Sequence, residues 1–265
     1  MANLHDAAWH CLMCPCPSDK VAYVRRIQDA WTQARAPGES LIAPVPVLVP
    51  GRPAKPTLVA PRDLVRRRLG STKGRAALIH AIVHIEFNAI NLALDAVYRF
   101  RDLPDAFYRD WLRVAAEEAR HFEMLEARLG QTGYRYGDFP AHDGLWEVAV
   151  KTADDVLLRM ALVPRVLEAR GLDVTPGMIR RLQAAGDDQT ADILRIILRE
   201  EIDHVAIGTH WFRSICAQRG LDSETTFSRL LTRHMPVAAH GPLNTEARLQ
   251  AGFTANELEI LTSGP

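Results

Sequence analysis

The sequence predicts an all-α protein organised around a four-helix bundle, and three observations lead to this fold class. Apolar residues recur at intervals of three and four along most of the chain, which is the period of an amphipathic helix. No segment is predicted to be a strand. A Glu-x-x-His motif occurs twice, each time in a long helical segment. The length of 265 residues suffices for one large domain or two small ones.

The N-terminal part of the chain is predicted to be a helical extension followed by a proline-rich strap. Residues 4–35 should form one or two short helices, because their apolar residues keep the helical interval. Residues 36–61 contain seven prolines, which exclude a regular helix. Because the stretch 41–49 still carries apolar side chains, we expect an extended strap that lies over the domain.

The central part of the chain is predicted to supply four long helices. They span residues 74–101, 105–129, 144–170 and 187–218, with a short helix at 176–185 before the last. The first is apolar on nearly all sides and should therefore be buried. Pro104 suits the first turn of the second helix. Pro164 should kink the third helix, and Gly171 should end it.

These elements divide the chain into three predicted parts. Residues 1–73 form the N-terminal helices and strap, residues 74–218 the four-helix bundle, and residues 219–265 a tail of two or three short helices. The two halves of the bundle, 74–130 and 144–218, read as a weak internal repeat.

The repeated motif predicts a metal centre. Glu118 and His121 lie one helical turn apart in the first copy, and Glu201 and His204 do so in the second. Each copy follows a Glu in an apolar helix: Glu86 lies 32 residues before Glu118, and Glu168 lies 33 residues before Glu201. Four Glu and two His from four helices are the ligand set of a carboxylate-bridged di-iron or di-manganese centre.

Burial explains why these carboxylates need metal ions. An ionised carboxylate inside an apolar helix face costs several kcal/mol unless a cation balances it. A single such Glu could pair with an Arg, but four in one bundle would repel each other strongly. Two divalent ions remove this repulsion, and each neutral His binds one of them.

The doubled acidic residues predict partners for the two His. Glu117 and Glu200 directly precede Glu118 and Glu201, so their side chains point about 100° away around the helix. We expect Glu117 to accept a hydrogen bond from His204, and Glu200 from His121, because such carboxylates orient metal-bound imidazoles. The alternative is that they are solvated surface acids.

Composition favours an ordinary globular protein of the cytoplasm. The chain is 48% hydrophobic and 24% charged, and its formal net charge of zero favours neither nucleic acid nor a membrane surface. We predict no membrane span and no signal peptide. Cys11, Cys14 and Cys16 are too clustered for a disulfide framework, and they leave a zinc site as a weaker alternative.

Two further features have open alternatives. The basic segment 62–75 contains six Arg or Lys residues against one Asp, and it is either a solvated helix face or a contact for an anionic substrate or RNA. His80 and His84 lie on the helix of Glu86, and they are interpreted as core or interface residues rather than ligands.

Four segments of the sequence resemble the ferritin-like di-iron superfamily: HAIVHIEFNAINLALDAVYRF, EEARHF, VLEARGLD and REEIDHVAIG. The chain resembles in particular a bacterial ferritin-like family known as a domain of unknown function, and more distantly the bacterial tRNA hydroxylase that acts on an isopentenyl-adenosine base. The resemblance covers about residues 74–218 and implies the ligand set Glu86, Glu118, His121, Glu168, Glu201 and His204.

The resemblance implies a di-iron oxidoreductase that uses O2 to oxidise or hydroxylate a small-molecule substrate. Other functions left open are an iron-handling ferroxidase, a di-manganese protein and a non-catalytic scaffold stabilised by metal. The fold by itself does not decide between them. A homodimer is an expected oligomeric state, and nucleic acid remains a weaker alternative partner through the segment 62–75.

Overall fold

The structure is a computed structural model that describes residues 3–33, 43–65, 67–235 and 242–263. Within these ranges the protein is all-helical, and an isolated parallel bridge between Leu58 and Ala141 is the nearest approach to a sheet. The all-α prediction is therefore confirmed.

The helices are numbered in chain order, with a 3₁₀ turn and a π-helical segment between them. The first five are α1 Leu4–Leu12, α2 Pro17–Gln33, α3 Thr72–Arg99, α4 Asp105–Gln131 and α5 Gly144–Lys151, with the 3₁₀ turn Pro61–Asp63 before α3. The others are α6 Val156–Leu162, the π-helical segment Val163–Glu168, α7 Ala169–Ala184, α8 Asp188–Gln218, α9 Ser223–His234, α10 Thr245–Gln250 and α11 Ala255–Ser263.

Most of the predicted helices are confirmed. The predicted segments 74–101, 105–129 and 187–218 correspond to α3, α4 and α8 within two residues at each end. Each begins where a short polar residue or Pro allows it: Ser71 accepts a hydrogen bond from Gly74 N at 3.1 Å, and Pro104 precedes α4. The described residues of the tail form three short helices, which agrees with the predicted two or three.

The prediction of one continuous third helix is wrong. Helix α5 ends at Lys151, and Asp155 then caps a new helix by accepting a hydrogen bond from Leu157 N at 2.9 Å. The expected kink at Pro164 is a π-helical segment, and such segments arise where the regular backbone ladder is interrupted. Gly171 does not end a helix, because α7 continues through it to Ala184.

The chain divides into two compact units, Met1–Val150 and Lys151–Pro265. The division of the sequence into parts at 73 and 218 remains a prediction. In the first unit α3 packs along α4, α1 lies on α3, and α2 lies on α4. In the second unit α7 and the π-helical segment pack against α8.

The buried Lys20 joins three parts of the first unit. Its Nζ donates to the carbonyl oxygens of Leu12 at 2.8 Å and Gly51 at 2.9 Å, and also to Asn91 Oδ1 on α3. Burial lowers the pKa of Lys20 to about 8. Three acceptors match the three donors of an ammonium group, so this side chain ties α1 and the strap to α3 although no sequence pattern indicates it.

The described part of the strap lies along the first unit. Gly51 N donates to Leu12 O at 3.0 Å, Val45 N donates to Tyr98 Oη at 2.8 Å, and Trp146 Nε1 donates to Leu48 O at 3.1 Å. A Cβ atom on Gly51 would lie 2.2 Å from the backbone of Met13, so only glycine allows this approach.

Helix α3 is long and apolar enough to cross a membrane by length and composition, with a mean hydropathy of 1.5 in its most apolar window. However, 78% of that window is buried inside the protein. This burial is consistent with the core helix of a soluble protein, and the cytoplasmic location remains a prediction.

The second unit depends on a close approach between α8 and the π-helical segment. A Cβ atom added to Gly208 would lie 2.2 Å from Cβ of Pro164. Gly208 follows His204 by four residues, and Pro164 precedes Glu168 by four residues. The contact therefore lies about one turn from both predicted ligands.

Replacement of Gly208 by Ala should destabilise the protein, because the rigid proline ring cannot move aside for the new methyl group. We expect a loss of about 1–3 kcal/mol in the free energy of unfolding, measured by urea denaturation. Gly171→Ala is the matched control: it lies inside α7 with open space around it, and it should raise stability by about 0.5–1 kcal/mol. Equal effects of both substitutions would contradict this packing.

Candidate metal centre

The first predicted half-site is formed where α3 packs on α4. Glu118 and His121 lie in the apolar stripe of α4, among the buried residues Val114, Ala115 and Phe122. His121 Nδ1 lies 3.3 Å from Glu118 Oε2 and 3.5 Å from Glu86 Oε2 on α3. Ligand atoms of Glu86, Glu118 and His121 all lie within 4.8 Å of one another. These three predicted ligands are therefore brought together.

Burial makes it unfavourable for the side chains of this cluster to carry charges that nothing balances. The side chains of Glu86, Glu118 and His121 are 5%, 1% and 0% exposed. Burial and the charge of Glu118 raise the pKa of Glu86 well above its ordinary value. Burial alone would lower the pKa of His121, but the hydrogen bonds and charges of Glu118 and Glu86 raise it to about 11. Without a metal ion, these shifts favour bound protons in the cluster, on His121 and on the carboxyl group of Glu86.

This donor set fits a metal ion. An ion seated among the three side chains would be bound by the two carboxylates and by neutral His121, since a histidine must lose its proton to become a ligand. Two carboxylates and one imidazole are ligands that iron, manganese and zinc all accept. The cluster can therefore exchange a buried proton for a divalent cation.

The second predicted half-site lies in the second unit. His204 Nδ1 lies 3.4 Å from Glu201 Oε1, one turn apart on α8, and their side chains are 0% and 13% exposed. Glu201 and His204 therefore repeat the relation of Glu118 and His121. The spacing of the Glu-x-x-His motif places both groups on one helix face.

Glu168 is placed by different backbone geometry. It is the last residue of the π-helical segment Val163–Glu168, whereas Glu86 lies in the middle of regular α3. The segment packs against α8 through Pro164 and Gly208. A π-helical turn rotates the following side chains relative to an α-helix, so the direction of Glu168 depends on what holds this segment.

The roles predicted for Glu117 and Glu200 remain predictions. Both side chains are half-buried. Glu117 lies 3.9 Å from Arg113 on its own helix. The side chains of Glu117 and Glu200 are therefore neither fully exposed nor fully buried.

His80 and His84 are core residues, as interpreted from the sequence. His84 Nδ1 and Tyr136 Oη lie 2.8 Å apart, and His80 Nε2 accepts a hydrogen bond from Gly137 N at 2.9 Å. The ring of Tyr136 packs against Phe122 at 5.6 Å. Tyr136 was missed by the sequence reasoning, because it lies in a polar loop with no periodic signal.

The cysteines and the basic segment have local partners. Cys11 Sγ donates to Lys20 O, and Cys14 Sγ donates to Cys16 O. Burial raises the pKa of Cys11 to about 12, which leaves an unreactive thiol. In the basic segment 62–75, Arg66 lies outside the described residues. The rest of it contains no α-helix before Thr72 and only the end of the 3₁₀ turn Pro61–Asp63, so the interpretation as a helix face is wrong there.

A small cavity of about 160 Å³ lies beside the basic segment in the first unit. Its wall is mainly apolar and includes Ile85 and Phe139, and its polar members are Arg67, His84 and His142. The guanidinium of Arg67 stands 5.4 Å from the centre of the Phe139 ring. The contact of this segment with RNA or an anionic substrate remains a prediction.

The comparison with known proteins shows the family. The sequence pattern of DUF455, described as a protein of unknown function, matches residues 13–259. The chain belongs to the DUF455 family. An uncharacterized protein of Haemophilus influenzae is 52% identical over 214 residues, which cover 78% of this chain and 74% of that protein. No solved structure matches the chain.

Acid should destabilise this DUF455 protein through His80. Burial and neighbouring His84 lower the pKa of His80 to about 4, against about 6.5 in an unfolded chain. Between these values the unfolded chain binds a proton that the folded chain does not, so stability falls as the pH drops from about 6.5 towards 4. His80→Leu should reduce the loss of unfolding free energy between pH 7 and 5 by about 2 kcal/mol.

The measurement is urea denaturation at both pH values. His234→Gln is the control, since His234 is exposed at the end of α9, and it should keep the wild-type loss. An unchanged loss in His80→Leu would show that the buried imidazole is not the acid-sensitive group.

Proposed function

We propose that this protein is an oxidoreductase of the ferritin-like type, which holds two iron ions and uses O2 to oxidise or hydroxylate a small molecule. In this proposal α3, α4, α8 and the π-helical segment with its flanking helices form the four ligand-bearing elements. Glu86, Glu118 and His121 come from the first half of the chain, and Glu168, Glu201 and His204 come from the second.

The observation that carries the proposal is the first half-site. Two carboxylates and an imidazole share one buried position, with their ligand atoms within 4.8 Å of one another. Two buried carboxylates at this distance repel each other by several kcal/mol in a medium of low dielectric constant. A divalent cation relieves this repulsion better than a single proton does, because it balances both charges.

The second half of the chain supports the proposal by repetition. Glu201 and His204 have the same separation along a helix as Glu118 and His121, and their side-chain atoms lie at nearly the same distance, 3.4 Å against 3.3 Å. A structural ion pair would not need this repetition. A pair of metal ions that share bridging carboxylates does need two equivalent ligand groups.

The bound ions would supply the electrons and the open coordination positions that reduce O2 while a substrate is oxidised. The residues of this chain would orient the ligands, exclude water and accept or release the proton of His121. Burial of α3 and α4 around the half-site keeps reactive species away from solvent.

Metal loading tests the ligand assignment. After anaerobic Fe(II) loading and desalting, the wild-type protein should retain about two irons per chain by elemental analysis, as a centre with six such ligands holds. Glu118→Gln combined with Glu201→Gln should lose both, because each Gln keeps the shape of Glu but lacks the ligating charge. Glu123→Gln is the control, since Glu123 lies on α4 with its side chain 41% exposed.

Full iron content in the double variant would contradict the ligand assignment. Circular dichroism must show that the double variant and the control variant both remain helical, so that a loss of metal is not a loss of fold. If the wild-type protein itself retained no iron or manganese, the proposal of a metal-dependent function would be wrong.

Reaction with O2 tests the chemistry. The Fe(II)-loaded protein should consume O2 in an oxygen-electrode assay, whereas the Glu118→Gln and Glu201→Gln double variant should react no faster than free Fe(II) in the same buffer. Under excess Fe(II), an oxygenase should stop after the irons of its own centre are oxidised. Oxidation of many irons per chain would identify an iron-handling protein, and a metal-loaded protein inert to O2 would contradict oxidase function.

A further inference from the structure

The segment that carries Glu168 lies between two buried ion pairs. Arg165, three residues before Glu168, pairs with Glu257 at 2.6 Å. Asp173, five residues after Glu168, pairs with Arg248 at 2.8 Å. Glu257 and Arg248 both belong to the C-terminal tail, so the tail holds both flanks of this predicted ligand.

The first pair is completely buried. The side chains of Arg165 and Glu257 are both 0% exposed. The guanidinium carbon of Arg165 lies 4.7, 4.0 and 4.6 Å from the ring centres of Phe212, Phe227 and Phe253. Three aromatic faces around a cation favour one position for it. The π-helical segment is therefore anchored at Arg165.

The carboxylate of Glu257 has its own fixed direction. Thr254 N donates to Glu257 Oε2 at 3.0 Å, and Glu257 N donates to Thr254 Oγ1 at 3.1 Å. This reciprocal pair is a capping box at the start of α11. Because one oxygen is held by the helix cap, the other is directed at Arg165, and the position of α11 sets the position of Arg165.

The second pair has a matching arrangement on α7. Arg248 Nε and Nη2 donate to the two oxygens of Asp173 at 2.9 and 2.8 Å. Such a two-bond fork fixes orientation as well as distance. The backbone N of Asn244 also donates to Asp173 Oδ1 at 2.9 Å.

Asn244 also donates a hydrogen bond that the backbone of α7 cannot provide. Pro176 lies inside this helix and has no N–H for the carbonyl four residues earlier, which is that of Leu172. Asn244 Nδ2 donates to this same Leu172 O at 3.1 Å. The prediction that a helix starts at Pro176 was therefore wrong for a tertiary reason, since the tail supplies the missing donor.

These contacts lie at the two places in this region where the backbone hydrogen bonds of a regular helix are incomplete. A π-helical turn and a proline-interrupted turn both lack part of the regular hydrogen-bond ladder. Buried ion pairs add little stability compared with apolar packing, and their best-attested use is to select one arrangement among several. Both pairs lie within about two turns of Glu168, so the selected arrangement includes the direction of its carboxylate.

We propose that the tail residues Asn244, Arg248 and Glu257, here named the C-terminal clamp, position Glu168 for metal binding through Arg165 and Asp173. This inference rests on the proposed metal function. Arg165 and Asp173 are positioning residues, and they do not touch the metal. Because coupling between two sites is reciprocal, metal binding at Glu168 must in turn tighten the docking of α10 and α11.

Co(II) titration of the metal-free, full-length protein tests the clamp. The variants are Glu257→Gln and Asp173→Asn, which keep side-chain shape and remove one charge of each pair. The wild-type protein should bind two Co(II) per chain, followed by visible absorption and equilibrium dialysis. Each variant should bind the first Co(II) unchanged and the second about 10–100-fold more weakly, with an altered absorption spectrum for the second ion.

A stability control separates positioning from general destabilisation. Leu182→Ala removes a buried side chain near the C-terminal end of α7 in the same unit, nine residues beyond Asp173, and it should lower the thermal midpoint while both Co(II) affinities stay at the wild-type values. The inference is overturned if the clamp variants bind both ions as the wild-type protein does, or if Leu182→Ala weakens the second ion equally. A wild-type protein that binds no pair of ions overturns the proposed function as well.

Hydrogen exchange on the wild-type protein decides the case in which the clamp variants do not fold. Addition of Co(II) to the metal-free protein should slow amide exchange in α10 and α11 at least tenfold, as reciprocal coupling requires. Helix α2 in the first unit carries neither a proposed ligand nor a clamp residue, so it provides the internal reference and should change less. Unchanged exchange in α10 and α11 under two bound Co(II) would overturn the inference and leave the metal centre intact.

Discussion

The interaction on which the rest of the structure depends is the meeting of Glu86 and Glu118 with His121 inside an apolar helix pair. Helix α3 is buried on nearly every side, so a carboxylate at its centre cannot reach water. The neighbouring carboxylate on α4 makes the cost larger, and His121 alone offsets only one of the two charges. In the proposed function a divalent cation offsets both charges and so makes this burial favourable.

In other parts of the protein, buried charged side chains are compensated by polar or charged groups of the chain itself. Lys20 is surrounded by three carbonyl-type oxygens, and Arg165 and Asp173 each have a buried partner of opposite charge. Each of these charges joins segments that are distant along the chain. In this family member buried charge therefore serves to define where the strap and the tail lie, whereas apolar packing supplies the bulk of the stability.

The sequence predicted interactions between residues that are close along the chain, and it did not predict those between distant residues. Pairs separated by one helical turn, such as Glu118 with His121 and Glu201 with His204, were found because helix geometry places them on one face whatever the rest of the chain does. The backbone around Glu168 was predicted only in part. Pro164 correctly indicated an irregular helix. However, the π-helical segment and the uninterrupted α7 that follows it depend on Gly208 and Asn244, which lie far along the chain.

The sequence by itself determined the all-α class, the extents of α3, α4 and α8, and the residues proposed here as metal ligands, because helix periodicity and i, i+3 spacing are local properties. Only the tertiary structure decided that Lys20 anchors the strap, that α7 passes through Gly171 and Pro176, and that Arg165 and Asp173 find partners in the tail. These features depend on contacts between residues that no local spacing relates, and their energies exist only once the helices have packed.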